Sequence, residues 1–200
     1  MLEDLSCHIL DIAENSAVAD ADTVTILLEE LRRDDWLILS VEDDGRGMDE
    51  DRCARVYDPF FTTRTTRRVG LGIPFLKQAA EACGGGLTLE SRLGEGTKLK
   101  ASFRYDHIDR PPMGDVASTL VTLLAGHPQI RWIYRHRVDD REFVFDSKEI
   151  VDVLEDREML RTPDVAQWLR SYLSENLEEI GAASSAKGIE ASLRPRHESS

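Results

Sequence analysis

The sequence predicts an α+β fold in which strands come in consecutive pairs and helices separate the pairs. Three observations predict it. Apolar residues at helical spacing open the chain. Short runs of apolar–polar alternation follow in twos, each pair joined by a tight turn. A double proline then breaks the composition roughly midway, and a second set of helices with one more hairpin begins.

Residues 2–16 read as a helix, with Leu2, Leu5, Ile9 and Ile12 at three-four-three spacing on one apolar face. His8, Asp11 and Asn15 project together beside that face. TVTILLEELRR and WLILSVED alternate as two strands, with RDD as a short hairpin connection. MDEDRCARVYD predicts a short acidic-capped helix. PFFTTRTTRRVGLG has no period and reads as a mobile loop. The next helix carries Pro74 in its first turn and Ile73, Leu76, Ala80 and Cys83 as its buried stripe. Glycines 84 to 86 end it. LTLESR and TKLKASFRY are two more strands around the turn LGEG.

Pro111 and Pro112 mark a boundary. Beyond it DVASTLVTLLAG is helical, and RWIYRHRVDDREFVFDS forms a hairpin turning near Asp139 and Asp140, with His136 as a cross-strand packing residue. KEIVDVLED and TPDVAQWLRSYLSENLEEI are helices, the second with Thr162 as N-cap and Pro163 at its first position. Trp132, Tyr134, Phe143 and Phe145 of the hairpin, with Trp168 and Tyr172 of the last helix, can close a small core or leave an apolar patch for a partner. The end, GAASSAKGIEASLRPRHESS, has few large apolar residues and reads as a disordered tail.

Composition narrows the function classes. A net charge of −13 opposes a sequence-independent hold on nucleic acid and a polybasic membrane attachment. No apolar run approaches the roughly 18 residues of a membrane span, and the acidic, amphipathic start MLEDLSCHIL is unlike a signal peptide. Cys7, Cys53 and Cys83 form no CxxC pair, which argues against a zinc or iron–sulfur site; three free thiols fit a reducing cytoplasm, the expected location.

Three stretches carry chemistry. In DDGRGM, Gly45 and Gly47 allow a sharp turn and close approach of a planar group, and a carboxylate fixed before the turn can accept from an exocyclic amine such as that of adenine. A plain acidic turn is the alternative, and Asp44 reads as a solvated neighbour. In VGLGIPFLKQ, Gly70 and Gly72 precede a helix whose N-terminus favours phosphate, with Arg64, Arg67 and Arg68 upstream; a glycine-rich loop with solvated arginines reads equally well. In DIAENS, Asp11 and Asn15 share a helix face. An amide oxygen can join Mg²⁺ coordination beside waters and phosphate, and a carboxylate one turn earlier can serve as a base. The alternative is simply a wet helix face.

In their order, DIAENS, DDGRGM, DPFFTTR, GLG with its helix, and GEGT resemble the GHKL superfamily, the ATP-binding fold of histidine kinases, DNA gyrase, MutL and Hsp90. The likeness covers residues 2–105. It implies a Bergerat-type two-layer α/β sandwich with a mixed sheet, plus a small C-terminal α+β extension. The implied organisation is a histidine-kinase-like ATP-binding domain at 1–109, a partner-binding or oligomerisation module at 113–180 and a tail at 181–200. The resemblance implies ATP and Mg²⁺ as ligands. Asn15 matches the Mg²⁺-coordinating asparagine, Asp43 the adenine aspartate, and Gly45 and Gly47 its glycines. Phe60 and Phe61 match the phenylalanine box of the ATP lid. Gly70, Leu71 and Gly72 match the segment at the triphosphate, with Arg64 and Arg67 beside it, and Thr97 matches the threonine near adenine.

Two positions depart from the pattern. Asp11, the candidate base, stands where the gyrase branch has a glutamate and histidine kinases usually have asparagine. Val18 stands where histidine kinases often have a basic residue. Sensor kinases also carry a helical hairpin with a phosphoacceptor histidine before the ATP domain. Here the matched helix starts near Met1, and none of His107, His127, His136 or His197 lies in a recognisable acceptor sequence. The expected partners are therefore ATP or ADP and a separate protein that supplies the acceptor, with a homodimer also compatible. A fainter resemblance, resting on the layout and on GDVASTL, YRHRV and REFVFD, is to stand-alone histidine-kinase-like proteins encoded near iron-only hydrogenase subunits.

Overall fold

The computed structural model describes residues 4–57 and 72–183. The expected lid, including Phe60, Phe61, Arg64, Arg67, Arg68, Gly70 and Leu71, lies outside them, as does residue 184 onward of the expected tail.

Helix α1 spans Leu5–Val18. Asp4 caps it: its Oδ1 accepts the Cys7 N–H at 2.9 Å and the Ser6 hydroxyl at 2.7 Å. The Leu5 and Ser6 N–H groups donate to the carbonyls of Pro112 and Met113, so the first turn is also satisfied from the middle of the chain. Strands β1 (Thr23–Leu31) and β2 (Trp36–Asp43) pair antiparallel. The connection between them is a single 3₁₀ turn, Arg32–Asp34, closed by Asp35 in the left-handed region at φ 56°. Then come α2 (Glu50–Arg55, capped by Asp49), α3 (Gly72–Ala82), β3 (Gly86–Arg92) and β4 (Gly96–Arg104).

Beyond the double proline lie α4 (Val116–Gly126), β5 (Arg131–Val138), β6 (Arg141–Asp146), α5 (Ser147–Leu154) and α6 (Pro163–Glu179). Thr162 occupies the N-cap position of α6, but its hydroxyl bonds back to the Met159 carbonyl rather than to the helix.

All six strands join one mixed sheet in the order β3-β4-β2-β1-β5-β6. The parallel pair is β1 with β5, aligning Thr23 with Arg131 and Glu30 with Val138. The hairpin after Pro112 thus extends the sheet of the first half, and the expected boundary near 109–113 is not a boundary in the sheet. Residues of both halves also share one core, from Leu5, Ile9, Leu39 and Phe103 to Leu120, Leu123, Trp132 and Tyr134.

Burial alternates along the strands, as a sheet with one covered face requires. Val24, Ile26 and Leu28 of β1, Trp132 and Tyr134 of β5, and Phe143 and Phe145 of β6 point into the core. The other face carries charges in cross-strand pairs, such as Lys98–Glu42 at 3.0 Å and Arg137–Glu29 at 2.8 Å. Of the aromatic residues expected to close the core, Trp168 does not. It is 52% exposed and stacks on Tyr172, whose ring meets Phe143 edge-on.

His136 is more than a packing residue. It is buried with Glu30, a carboxylate with no exposed surface, and its Nε2 lies 2.9 Å from Glu30 Oε1. Ala183 N–H donates to the same oxygen at 2.8 Å. Arg32 and the Tyr105 hydroxyl donate to the other, at 2.6 and 2.9 Å. Residues 181–183, inside the range expected as tail, are therefore held against the sheet, and Arg32 also bonds the Gly181 carbonyl. Burial opposes the charge on Glu30, but the hydrogen bonds from His136, Arg32 and Ala183 outweigh it and hold its carboxyl at about 2. Burial, with the nearby Glu30 charge adding, pushes the Tyr134 phenol well above its usual range; its hydroxyl lies 2.6 Å from His136 Nδ1.

Candidate functional site

The end of β2, the C-terminal half of α1 and the start of β4 surround a cavity of about 190 Å³. Its walls are mostly apolar, formed by Ile12, Val41, Ile73, Leu89 and Leu99. Its polar groups are few: Asn15, Ser16, Asp43 and Thr97, with Arg46 and Arg52. An apolar slot with a small set of fixed polar groups is what a planar, partly polar ring needs for affinity and orientation together.

Asp43 is the last residue of β2 and faces Thr97 across the β2–β4 pair. Both of its oxygens are engaged. Oδ1 accepts the Gly45 N–H at 3.0 Å, and Oδ2 accepts the Ser16 hydroxyl at 2.6 Å. Thr97 Oγ1 lies 2.9 Å from Ser91 Oγ, which also accepts the Met48 N–H at 2.8 Å. Ser16 and Ser91 did not stand out in the sequence. A serine inside a helix reads as part of the wet face, and a partner 27 positions away leaves no local signal.

The glycines are required by the close approach of neighbouring backbone. The loop after β2 wraps the end of α1, with Arg46 N–H bonded to the Ala19 carbonyl at 2.9 Å. A Cβ on Gly45 would sit 2.7 Å from that same oxygen. Gly47, at φ +65°, would drive a Cβ to 1.9 Å from the Arg92 carbonyl. Gly96, at φ +97°, would do the same to the carbonyl of Asp43 itself. Three glycines thus let two loops and a helix end close around one carboxylate. Asp44 is exposed but not merely solvated: its Oδ1 accepts the N–H groups of both Asp22 and Thr23 at 2.8 Å and anchors the start of β1.

Asn15 borders the cavity, one residue before Ser16, and is exposed. Asp11 lies outside the cavity lining, against the first turn of α3: a Cβ on Gly72 would be 3.1 Å from its Oδ2. The structure therefore brings Asn15, Asp43, Gly47 and Thr97 together, with Gly45 directly behind Asp43. Asp11 and Gly72 meet each other one turn away. At Val18, which stands where histidine kinases often have a basic residue, the Arg46 guanidinium donates to the backbone carbonyl at 2.6 Å and closes the last turn of α1. His8 is buried and away from the cavity lining.

Among the described residues no group of three or more His, Cys, Asp or Glu could hold a metal ion, and no helix is long and apolar enough to cross a membrane. A lone amide oxygen is still a fitting Mg²⁺ ligand, since that ion keeps most of its waters and takes phosphate oxygens from its nucleotide.

Comparison with known proteins gives a consistent result. A family model described as "Histidine kinase-, DNA gyrase B-, and HSP90-like ATPase" matches residues 3–107, just over half of the chain. The sensor protein kinase FleS of Pseudomonas aeruginosa is 43% identical over 89 residues, which are 44% of this chain and 22% of that protein. Sensor kinase CckA of Brucella abortus is 31% identical over 81 residues, 40% of this chain and 9% of that protein. The matched part thus spans less than a quarter of either relative. Among solved structures, the N-terminal domain of a DNA repair protein superposes with a TM-score of 0.50 at 13% identity, covering 70% of this chain and 51% of that one. At that identity it speaks to the fold alone.

Proposed function

The chain belongs to the histidine kinase-, DNA gyrase B- and HSP90-like ATPase family, and from that premise we propose that it binds Mg²⁺-ATP and acts as a kinase or ATPase towards a separate protein partner. The observation that carries the reading is Asp43. It stands in a mostly apolar cavity with each oxygen already accepting one hydrogen bond. A carboxylate so held is an acceptor waiting for a donor, and the exocyclic amine of adenine is such a donor. The flat apolar walls would take the faces of the ring, and Thr97 its edge.

Asn15 at the cavity border would supply an amide oxygen to Mg²⁺, which on binding neutralises phosphate charge. Asp11, beside the start of α3, is the candidate base; its task would be to orient or deprotonate the attacking hydroxyl. The acceptor is proposed to lie elsewhere because each described histidine already has a place in the fold. His8 and His136 are buried, His127 pairs with Glu14 at 3.1 Å, and His107 Nδ1 accepts the Asp109 N–H at 3.2 Å. Calorimetry with ATP on the wild-type chain and on Asp43→Ala tests the nucleotide reading. Losing the base's acceptor should cost at least about tenfold in affinity, and equal affinity in the two proteins would overturn it.

One observation favours a second reading, an ATP-dependent switch with little turnover. Helix α1, which carries Asn15 and Ser16, is tied to the C-terminal half through the Pro112 and Met113 carbonyls and the Glu14–His127 pair. A shift at the site would therefore reach the extension. Steady phosphate release by the isolated chain supports the enzyme. Tight binding without release, with or without partner, supports the switch.

A further inference from the structure

Serine is a poor interior residue for a helix. Its hydroxyl usually folds back on the carbonyl four residues earlier. Ser16 does little of this: its Oγ lies 3.5 Å from the Ile12 carbonyl but 2.6 Å from Asp43 Oδ2, a short distance typical of a hydroxyl bonded to a charged acceptor. Ser16 is 3% exposed, so water does not compete for that proton. The Gly45 N–H sits on the other oxygen at 3.0 Å. Two donors on two elements, α1 and the loop after β2, therefore fix the plane of the Asp43 carboxylate.

We propose that Ser16 is a positioning residue that sets base specificity by holding Asp43 as a pure acceptor toward the cavity. This rests on the reading that Asp43 receives the nucleotide base, and it goes further by assigning the discrimination to a partner of Asp43. The protein's own donors at Asp43 are already spent on the carboxylate. A base with an exocyclic amine brings the missing donor. A base with a carbonyl at that place sets one acceptor against another, with the Ser16 hydroxyl already committed to Asp43. A site built around such a group rejects the wrong partner far more strongly than apolar contact can. Without the Ser16 proton, the carboxylate is pinned at one oxygen only. It can then rotate away from the fixed plane, which weakens its discrimination against the wrong base.

The experiment measures affinities of the full chain for ATP and for ITP, which carries a carbonyl in place of the amine. It uses the wild type, Ser16→Ala, Ser16→Cys and Asp43→Ala. The wild type should prefer ATP. In Ser16→Ala the ATP/ITP preference should fall by roughly three- to tenfold, the net scale of one ordinary hydrogen bond. Ser16→Cys preserves volume with a weak donor and should shift the same ratio in the same direction. It also keeps the test open should alanine impair folding. A defect in packing alone would weaken both nucleotides equally and leave the ratio unchanged, which would overturn the proposal. If Asp43→Ala abolishes the preference while neither Ser16 variant moves it, the role of Ser16 is wrong and the reading of Asp43 stands. If Asp43→Ala leaves the preference intact, both fail.

Discussion

Glu30 and His136 are 106 positions apart in the chain, yet His136 Nε2 lies 2.9 Å from Glu30 Oε1, with neither side chain reaching water. This contact joins β1 to β5, and with Arg32, Tyr105 and Ala183 it gathers four parts of the chain around one carboxylate.

Glu30→Gln should strip the charge from this cluster while leaving its shape. Breaking a buried pair typically costs 3–5 kcal/mol. For a chain of this size each kcal/mol is worth about 2–4 °C, so a melting temperature lower by roughly 6 °C or more is expected. Thermal unfolding followed by circular dichroism measures it, and a change within 1–2 °C would refute the assigned weight.

The same carboxyl sets an acid limb. Its value is lowered from 4.5 to about 2 on folding. A depressed carboxylate contributes its stability above the unfolded value and loses it as pH falls through the folded one. Stability from Glu30 should thus be whole above pH 4.5 and drain between there and pH 2, by about 3 kcal/mol. Urea midpoints across that window should fall less steeply in Glu30→Gln than in the wild type.

Ala183→Pro removes the N–H that donates to Glu30 and fixes φ at that position. A buried acceptor that loses one of several donors should cost about 1–3 kcal/mol. Denaturant titration should show the loss without any change in nucleotide affinity, because the cluster lies at the far end of β1 from Asp43. Unchanged stability would mean that residues 181–183 are not held by this bond.

Glycine substitutions should separate by what stands behind them. At Gly96 a Cβ meets the Asp43 carbonyl at 1.9 Å, so Gly96→Ala should cost well over 2 kcal/mol and weaken ATP binding with it. At Gly86 nothing lies within 4 Å and φ is ordinary, so Gly86→Ala should be neutral or stabilise by up to about 1 kcal/mol. Comparable losses in the two variants would contradict the close approach at Asp43.

A chain ended at Tyr105 should not fold as an independent unit. It would leave β1 without β5 along its whole length and α1 without α4, and would remove the carbonyls that cap the first turn of α1. Narrow amide dispersion and aggregation are expected in proton NMR; a well-dispersed spectrum would show that the first half stands alone.

Much of this was legible in the sequence because periodicity reports burial directly. The strands from Thr23 and Trp36 and the stripe of Leu76, Ala80 and Cys83 were readable from residue type and spacing alone, whereas Asp43 stood out only through the family resemblance. What escaped is what spacing cannot carry. Alternation tells that Glu30 shares a face with Ile26 and Leu28, but not that β5 will bring His136 to meet it. Nor does it tell which strand is a neighbour, so the hairpin after Pro112 read as a separate module instead of two more strands of the same sheet. Ser16 escaped for a related reason: its partner is chosen by how α1 lies on β2. Asp44 looked solvated because exposure and hydrogen bonding are independent properties, and its oxygen serves two backbone N–H groups while facing water.

The parallel pairing of β1 with β5 has a consequence for synthesis. Thr23 waits for Arg131, and Glu30 for Val138, a separation of 108 positions along the chain. A ribosome adding about 5–20 residues per second leaves that open edge of a central strand exposed for roughly 5–20 s, long after β2 can have paired on its other side. An unpaired apolar edge invites pairing with a neighbouring nascent chain, and charges along it discourage that. Glu29 and Glu30 stand near the end of this strand. In the finished molecule they meet Arg137 and His136; during translation, before those two partners have been made, charge at that position is the kind of feature that discourages edge pairing with other chains.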